Sequence, residues 1–203
     1  MRARIFINFW RFQRAWEERS GGLVCDWTKL PGVLSGEASR AAAAAGLSEL
    51  SFEETRVYAG GDAGCGSDLM RWLHDVLDRQ PGIRVVTAER RWRDHPVHCQ
   101  ACGTEHFDCP GCGGPDDGTE ENVTGARIAT DLLGLAWEGS LDAALLVSVD
   151  QDRVPTVHHL QAKGIEVINA AWRSTGDELS AACRAFFELD PLIPLLQCAR
   201  CPA

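Results

Sequence analysis

The chain has 203 residues, 45% of them hydrophobic and 24% charged, with a formal net charge of -9. That length fits one domain carrying an insertion or tail, and the acidic balance argues against a basic coat for non-specific nucleic-acid binding. No stretch reaches the apolar length of a membrane span, and the run after Met1-Arg2-Ala3-Arg4 is too short for a signal-peptide core; the cytoplasm is the expected compartment.

In chain order, Arg4 to Asn8 reads as a strand and Phe9 to Arg19 as a helix with Trp10, Phe12 and Trp16 as its apolar bulk. Ser20 to Leu34 reads as an irregular segment, and the alanine-rich Ser35 to Ala45 as a helix ending at Gly46. Glu54 to Ala59 is a second strand, followed by a glycine-rich turn over Gly60 to Gly66. Ser67 to Arg79 shows the clearest helical spacing, with Leu69, Trp72, Leu73, Val76 and Leu77 on one side and Ser67 as N-cap. Ile83 to Thr87 is a third strand, and Ala126 to Trp137 a helix. Ala143 to Val149 is a continuous apolar run, as expected of a strand covered on both faces. Val154 to Ala162 reads as a helix, Ile165 to Ile168 as a buried strand and Asp177 to Leu189 as a last helix with Leu179, Cys183, Phe186 and Phe187 inward. From Pro191 a proline-marked tail, 191–203, carries a further Cys-x-x-Cys.

Strands alternate with helices throughout, which predicts an α/β fold: a doubly wound parallel sheet with helices on both faces. Ligands bind such sheets at the carboxyl ends of the strands. That rule selects Asn8, the turn after Ala59, and Asp150 with Asp152.

Nine cysteines in a reducing compartment read as metal ligands or buried thiols. Cys99-x2-Cys102 and Cys109-x2-Cys112 place four thiolates within a short segment, with Gly103 and Pro110-Gly111 supplying tight turns. Four thiolates close the tetrahedral shell of one Zn²⁺ and leave no open position, so the predicted site is structural. It defines a small zinc-binding insertion over 95–118. Free thiols in a loop are the competing reading. Cys198 and Cys201 are read as inert, with a second site shared with another chain as the alternative; Cys183 is read as a core residue.

Asp150 and Asp152 stand just past the buried apolar strand, spaced to share a hard cation such as Mg²⁺ or Mn²⁺ at the sheet edge. A solvated loop with one aspartate capping the next helix is equally open from these residues alone.

Three segments resemble the NYN domain, a branch of the PIN-like metal-dependent ribonucleases. Arg4-Ile5-Phe6-Ile7-Asn8-Phe9-Trp10-Arg11-Phe12 resembles the family's opening strand, Ala129-Thr130-Asp131-Leu132-Leu133 the helix after its lysine-glycine-valine-aspartate motif, and Leu146 to Pro155 its serine-glycine-aspartate-x-aspartate-phenylalanine motif. The resemblance covers most of residues 4 to 170 and implies a domain over 1–190 that the cysteine insertion interrupts. It implies a metal-dependent ribonuclease site of Asp150, Asp152, Asn8 and Asp131. The carboxylate set is reduced, however. The family's first aspartate falls on Asn8, its companion asparagine on Arg11, the aspartate before the long helix on Gly125, the motif glycine on Val149 and the phenylalanine on Arg153. Each lost carboxylate weakens divalent-ion binding. Glu120 and Glu121 are close enough in sequence to substitute.

Arg91 and Arg93, with His95 and the cysteine segment, form a basic rim suited to an RNA backbone, a role Arg11 shares; a solvated surface is the plainer reading. Trp10 and Trp92 are suited to base stacking or to plain packing. Gly60 to Gly66 matches neither a dinucleotide nor a Walker pattern and reads as a connection. Three functions follow: a metal-dependent ribonuclease, a non-catalytic module of the same fold binding RNA or a protein partner (a second copy included), and an interaction scaffold unrelated to RNA.

Overall fold

The computed structural model describes residues 1–62, 68–90, 97–98, 105–106 and 121–198. Strand β1 (Arg2–Asn8) alternates its side chains across the sheet: Ala3, Ile5 and Ile7 join one layer of the core and Phe6 the other. Helix α1 (Phe9–Ser20) follows at once and ends on Gly21, whose φ of 70° supplies the left-handed cap. A two-residue strand, β2 (Val24–Cys25), precedes α2 (Leu30–Ala44). This helix starts well before Ser35. Pro31, inside the segment read as irregular, sits in its first turn, where a missing N–H costs nothing. Leu30, Leu34, Ala38 and Ala42 then make one buried stripe at four-residue spacing.

Strand β3 (Ser51–Asp62) is longer than the apolar pattern indicated. Helix α3 (Asp68–Trp72) gives way to a π-helical turn, Leu73–Leu77, where a regular α-helix to Arg79 was expected. The wider turn keeps Leu73 and Leu77 in the core and leaves Val76 at 42% exposure, although all three share one helical face in the sequence. Then come β4 (Ile83–Arg90), the short antiparallel pair β5 (Val97–His98) and β6 (Glu105–His106), and α4 (Glu121–Trp137).

Strand β7 (Ala143–Val147) is buried at every position, as its apolar run requires, and ends two residues earlier than expected. A 3-10 turn, Gln151–Arg153, leads into α5 (Val154–Ala162), then β8 (Glu166–Ala171). The helix expected over Asp177 to Leu189 is two elements: α6 (Asp177–Ala182) and a strand, β9 (Ala185–Glu188). The Arg184 amide donates to the Val167 carbonyl at 2.8 Å and begins pairing with the open edge of β8. That edge overrides the helical spacing and turns Phe186 outward, 59% exposed. Finally α7 (Ile193–Leu196) and β10 (Gln197–Cys198) bury Leu192 and Leu196 and pair with β2. Residues 191–198 are thus packed into the domain rather than trailing from it.

The six-stranded sheet runs β4-β3-β1-β7-β8-β9 with every pairing parallel. The chain winds outward from β1 through β3 to β4, then starts again at β7 beside β1 and winds the other way. One face carries α1, α2 and α3; the other carries α4, α5 and α6. The junction of β1 and β7 is therefore the topological switch point, where neighbouring connections leave in opposite directions and open a crevice. Among the described residues no helix is long and apolar enough to cross a membrane.

Candidate functional site

The switch point gathers residues from four elements. Asn8 ends β1, is 4% exposed, and accepts a hydrogen bond from the Arg11 amide at 3.4 Å as the N-cap of α1. Asp150 follows β7. Asn169 on β8, fully buried, steers this segment by donating to the Leu146 and Ser148 carbonyls, both at 2.9 Å, and accepting from Ser180. Beyond Ser148, Val149 packs on Gly176, where an added Cβ would lie 3.0 Å from the Val149 Cα.

Arginines meet the Asp150 carboxylate on both sides. Arg11 Nε lies 3.0 Å from Oδ1, and Arg153 Nη2 lies 2.9 Å from Oδ2. Arg153 is 4% exposed and fully engaged: Nε donates to the Ser148 hydroxyl and Nη1 to the Gly125 carbonyl, each at 3.1 Å. Ser148 in turn donates to Asp150 Oδ2. A Cβ built on Gly125 would point at Arg153 Nη2 from 3.6 Å. The guanidinium thus occupies the space between Asp150 and the position where the family's pattern has a further carboxylate.

Arg11, Gly125, Asp150, Asp152 and Arg153 line one cleft. Asp152 is exposed there and pairs with no described residue. Asp131 does not line it. It accepts from the Tyr58 hydroxyl at 2.9 Å and lies 3.4 Å from Arg56 Nη1 and from Arg127 Nε. Burial first, then the Asp131 carboxylate, pushes the Tyr58 phenol far above its ordinary pKa, so it stays a donor. The structure therefore brings Asn8, Arg11, Asp150 and Asp152 together and holds Asp131 in a separate network.

This donor set does not suit a divalent cation. Among the described residues the cleft offers two carboxylates, of which Asp150 is already paired with two guanidinium groups, and no three His, Cys, Asp or Glu side chains converge. Sequence reasoning missed the contacts that Arg153 and Ser148 make with Asp150. The available signal was an arginine three residues after Asp150, within one helical turn, where the family carries an apolar ring. Cys99, Cys102, Cys109, Cys112, Arg91, Arg93 and Glu120 lie outside the described residues, and so does Cys201. Trp10 has a structural role, donating its indole N–H to the Gly60 carbonyl at 2.6 Å.

The NYN domain family matches residues 51–190. The chain belongs to the NYN domain family. Its fold is accordingly that of a PIN-like nuclease family, and the match includes Asp131, Asp150 and Asp152 while β1, with Asn8, lies before it. The NYN domain also superposes on the crystal structure of a protein of unknown function from Vibrio parahaemolyticus, with a TM-score of 0.57 and 17% identity over 93% of this chain and 92% of that one. That likeness concerns the fold. A comparison with curated proteins finds no match.

Proposed function

We propose that this NYN domain is a non-catalytic RNA-binding module, in which an arginine has taken the place of the divalent ion of a PIN-like nuclease. The observation that carries the reading is Arg153: a guanidinium 4% exposed, held between the Asp150 carboxylate and the Gly125 carbonyl. Such a group neutralises the carboxylate that an ion would need and fills the space the ion would take. RNA is the partner that family membership supports, and Arg11 at 43% side-chain exposure and Arg127 at 58% offer positive charge beside the cleft.

The zinc reading belongs to the same proposal. Cys99, Cys102, Cys109 and Cys112 hold one structural zinc, and the support is their spacing together with the β5–β6 pair, which brackets the first Cys-x-x-Cys. Purified protein is expected to carry one equivalent of zinc by elemental analysis, released only when thiols are modified. Four freely titrating thiols would overturn it.

A ribonuclease using Mg²⁺ or Mn²⁺ is the second reading. The observation favouring it is Asp152, exposed in the cleft without a described partner. The deciding experiment incubates labelled single-stranded and structured RNA with the native chain and with Asp150→Asn, with and without Mn²⁺. The module reading expects RNA binding that falls steeply with salt and no cleavage by either protein. Mn²⁺-dependent cleavage that vanishes in Asp150→Asn would overturn it in favour of the nuclease.

A further inference from the structure

A second cavity opens beside the cleft, between α1 and the carboxyl ends of β7 and β8. Its cavity volume is about 110 Å³ and it is partly open to solvent, below the size of sites that enclose a whole drug-sized ligand. Its floor is aromatic and aliphatic: Phe12 and Trp172, in ring contact at 5.7 Å between centroids, with Val147 and Ala170 beside them. Arg11 lines both this pocket and the cleft that holds Asp150, and Ser148 lines this pocket beside it. At the mouth stands Glu18, whose carboxylate pairs with no described residue.

We propose that this pocket receives a nucleobase, with the phosphate attached to that nucleotide lying toward Arg11. The proposal rests on the RNA-binding reading above and adds the place where a base is seated. Each part of a nucleotide meets matching chemistry. The planar ring meets an apolar, aromatic floor of the kind on which bases stack. The phosphate meets a guanidinium held in place by Asp150. An amino or imino N–H on the edge of the base meets the Glu18 carboxylate, an acceptor with no competing partner among the described residues. The lining carries a third charge, Arg19, which pairs with Asp190 and lies over the Trp172 ring at 5.6 Å; a purely apolar ligand would leave the Glu18 carboxylate at the mouth unused. The switch-point position gives the same answer, since the pocket opens where connections diverge at the strand ends.

The test compares three probes on the full chain: a short single-stranded RNA, an abasic ribose-phosphate oligomer of equal length, and nucleoside 5′-monophosphates. Ala15→Leu fills the pocket from its α1 wall without altering Arg11 or Asp150; Glu18→Ala, at an exposed rim position, is the second variant. The native chain is expected to bind RNA about tenfold more tightly than the abasic oligomer, equivalent to about 1.4 kcal/mol. Ala15→Leu is expected to lose that advantage while its affinity for the abasic oligomer holds, and Glu18→Ala to lose part of it. Saturation-transfer NMR is expected to mark base protons of the monophosphates ahead of ribose protons. Equal binding of RNA and abasic oligomer, unaltered in both variants, overturns the pocket and leaves the RNA-binding reading standing. If neither polymer binds, the RNA reading fails and the monophosphates decide: base-proton saturation abolished by Ala15→Leu retains the pocket as a free-nucleotide site, and no saturation overturns it. Should Ala15→Leu misfold, Glu18→Ala and the NMR measurement still decide.

Discussion

At the scale of single residues, Arg153 and Asp150 depend on each other. With Asp150 13% exposed in its side chain, Arg153→Ala would leave a largely desolvated carboxylate with one arginine fewer. A loss of about 2–3 kcal/mol is expected in urea unfolding, since breaking such a pair costs more than replacing it. Asp150→Asn combined with Arg153→Met should recover about half of that, because both buried charges are then gone and Arg11, which loses its Asp150 partner, is 43% exposed. Gly125→Asp should behave in the opposite way. Its Cβ meets Arg153 Nη2 at an ordinary 3.6 Å, the new carboxylate gains a guanidinium, and a helical glycine is removed. A gain of about 1 kcal/mol is expected as a raised Tm. At this scale the sequence was half legible. Asp150, Asp152 and Asn8 were selected correctly as strand-end residues, because the position of an apolar strand announces its end. Arg153, three residues on from Asp150, was a readable signal; that Arg11 and the Gly125 carbonyl complete the arrangement was not, because both are far from Asp150 in the chain.

At the scale of elements, α6 and β9 illustrate what periodicity omits. Leu179, Cys183, Phe186 and Phe187 fall at helical spacing, yet the unsatisfied edge of β8 draws residues 185–188 into a ladder. The sequence of one segment cannot show that another strand has an open edge. The consequence is measurable: Leu179→Ala, at a position with 0% exposure, should cost about 3 kcal/mol, whereas Phe186→Ala, 59% exposed, should cost under about 0.5 kcal/mol. Had the segment been one inward-facing helix, both would be costly. A second element-level device fastens the amino end of β1 to the turn before β7. Arg2 Nη2 lies 2.7 Å from Asp142 Oδ1 and the Arg2 amide donates to Oδ2 at 2.8 Å. The Arg2 side chain, then its amide, lowers the Asp142 carboxyl from 3.8 to about 2. A depressed acid stabilises the fold above its unfolded pKa and loses that contribution as pH falls through its folded value. The stability difference between the native chain and Asp142→Asn should therefore hold above pH ~4 and shrink toward pH ~2. Because the pair is well exposed, solvent screening keeps that difference small.

At the scale of the whole molecule, the doubly wound parallel architecture was legible from alternation alone, since strands like β7, apolar at every position, survive only between two layers of helices. The attachment of the C-terminal segment was not. Pro191 and Pro194 suggested a tail, but each occupies the first turn of a short helix, and Leu192 and Leu196 complete the layer built on α1 and α2. Removal of residues 191–203 should therefore lower stability by about 4 kcal/mol or more, seen as a lower Tm and as aggregation, rather than trimming a neutral appendage. The buried arginine at the switch point has a consequence on a longer timescale. On the proposed reading, a lineage that gained ion binding would have both to lose Arg153 and to gain an acid at position 125, and the two orders are unequal. Losing the arginine first passes through a destabilised ancestor that selection removes; gaining the acid first passes through a sturdier one, which then holds the arginine more tightly. On that reading Arg153 acts as a ratchet, and descendants of this chain are expected to vary around the cleft while the arginine persists.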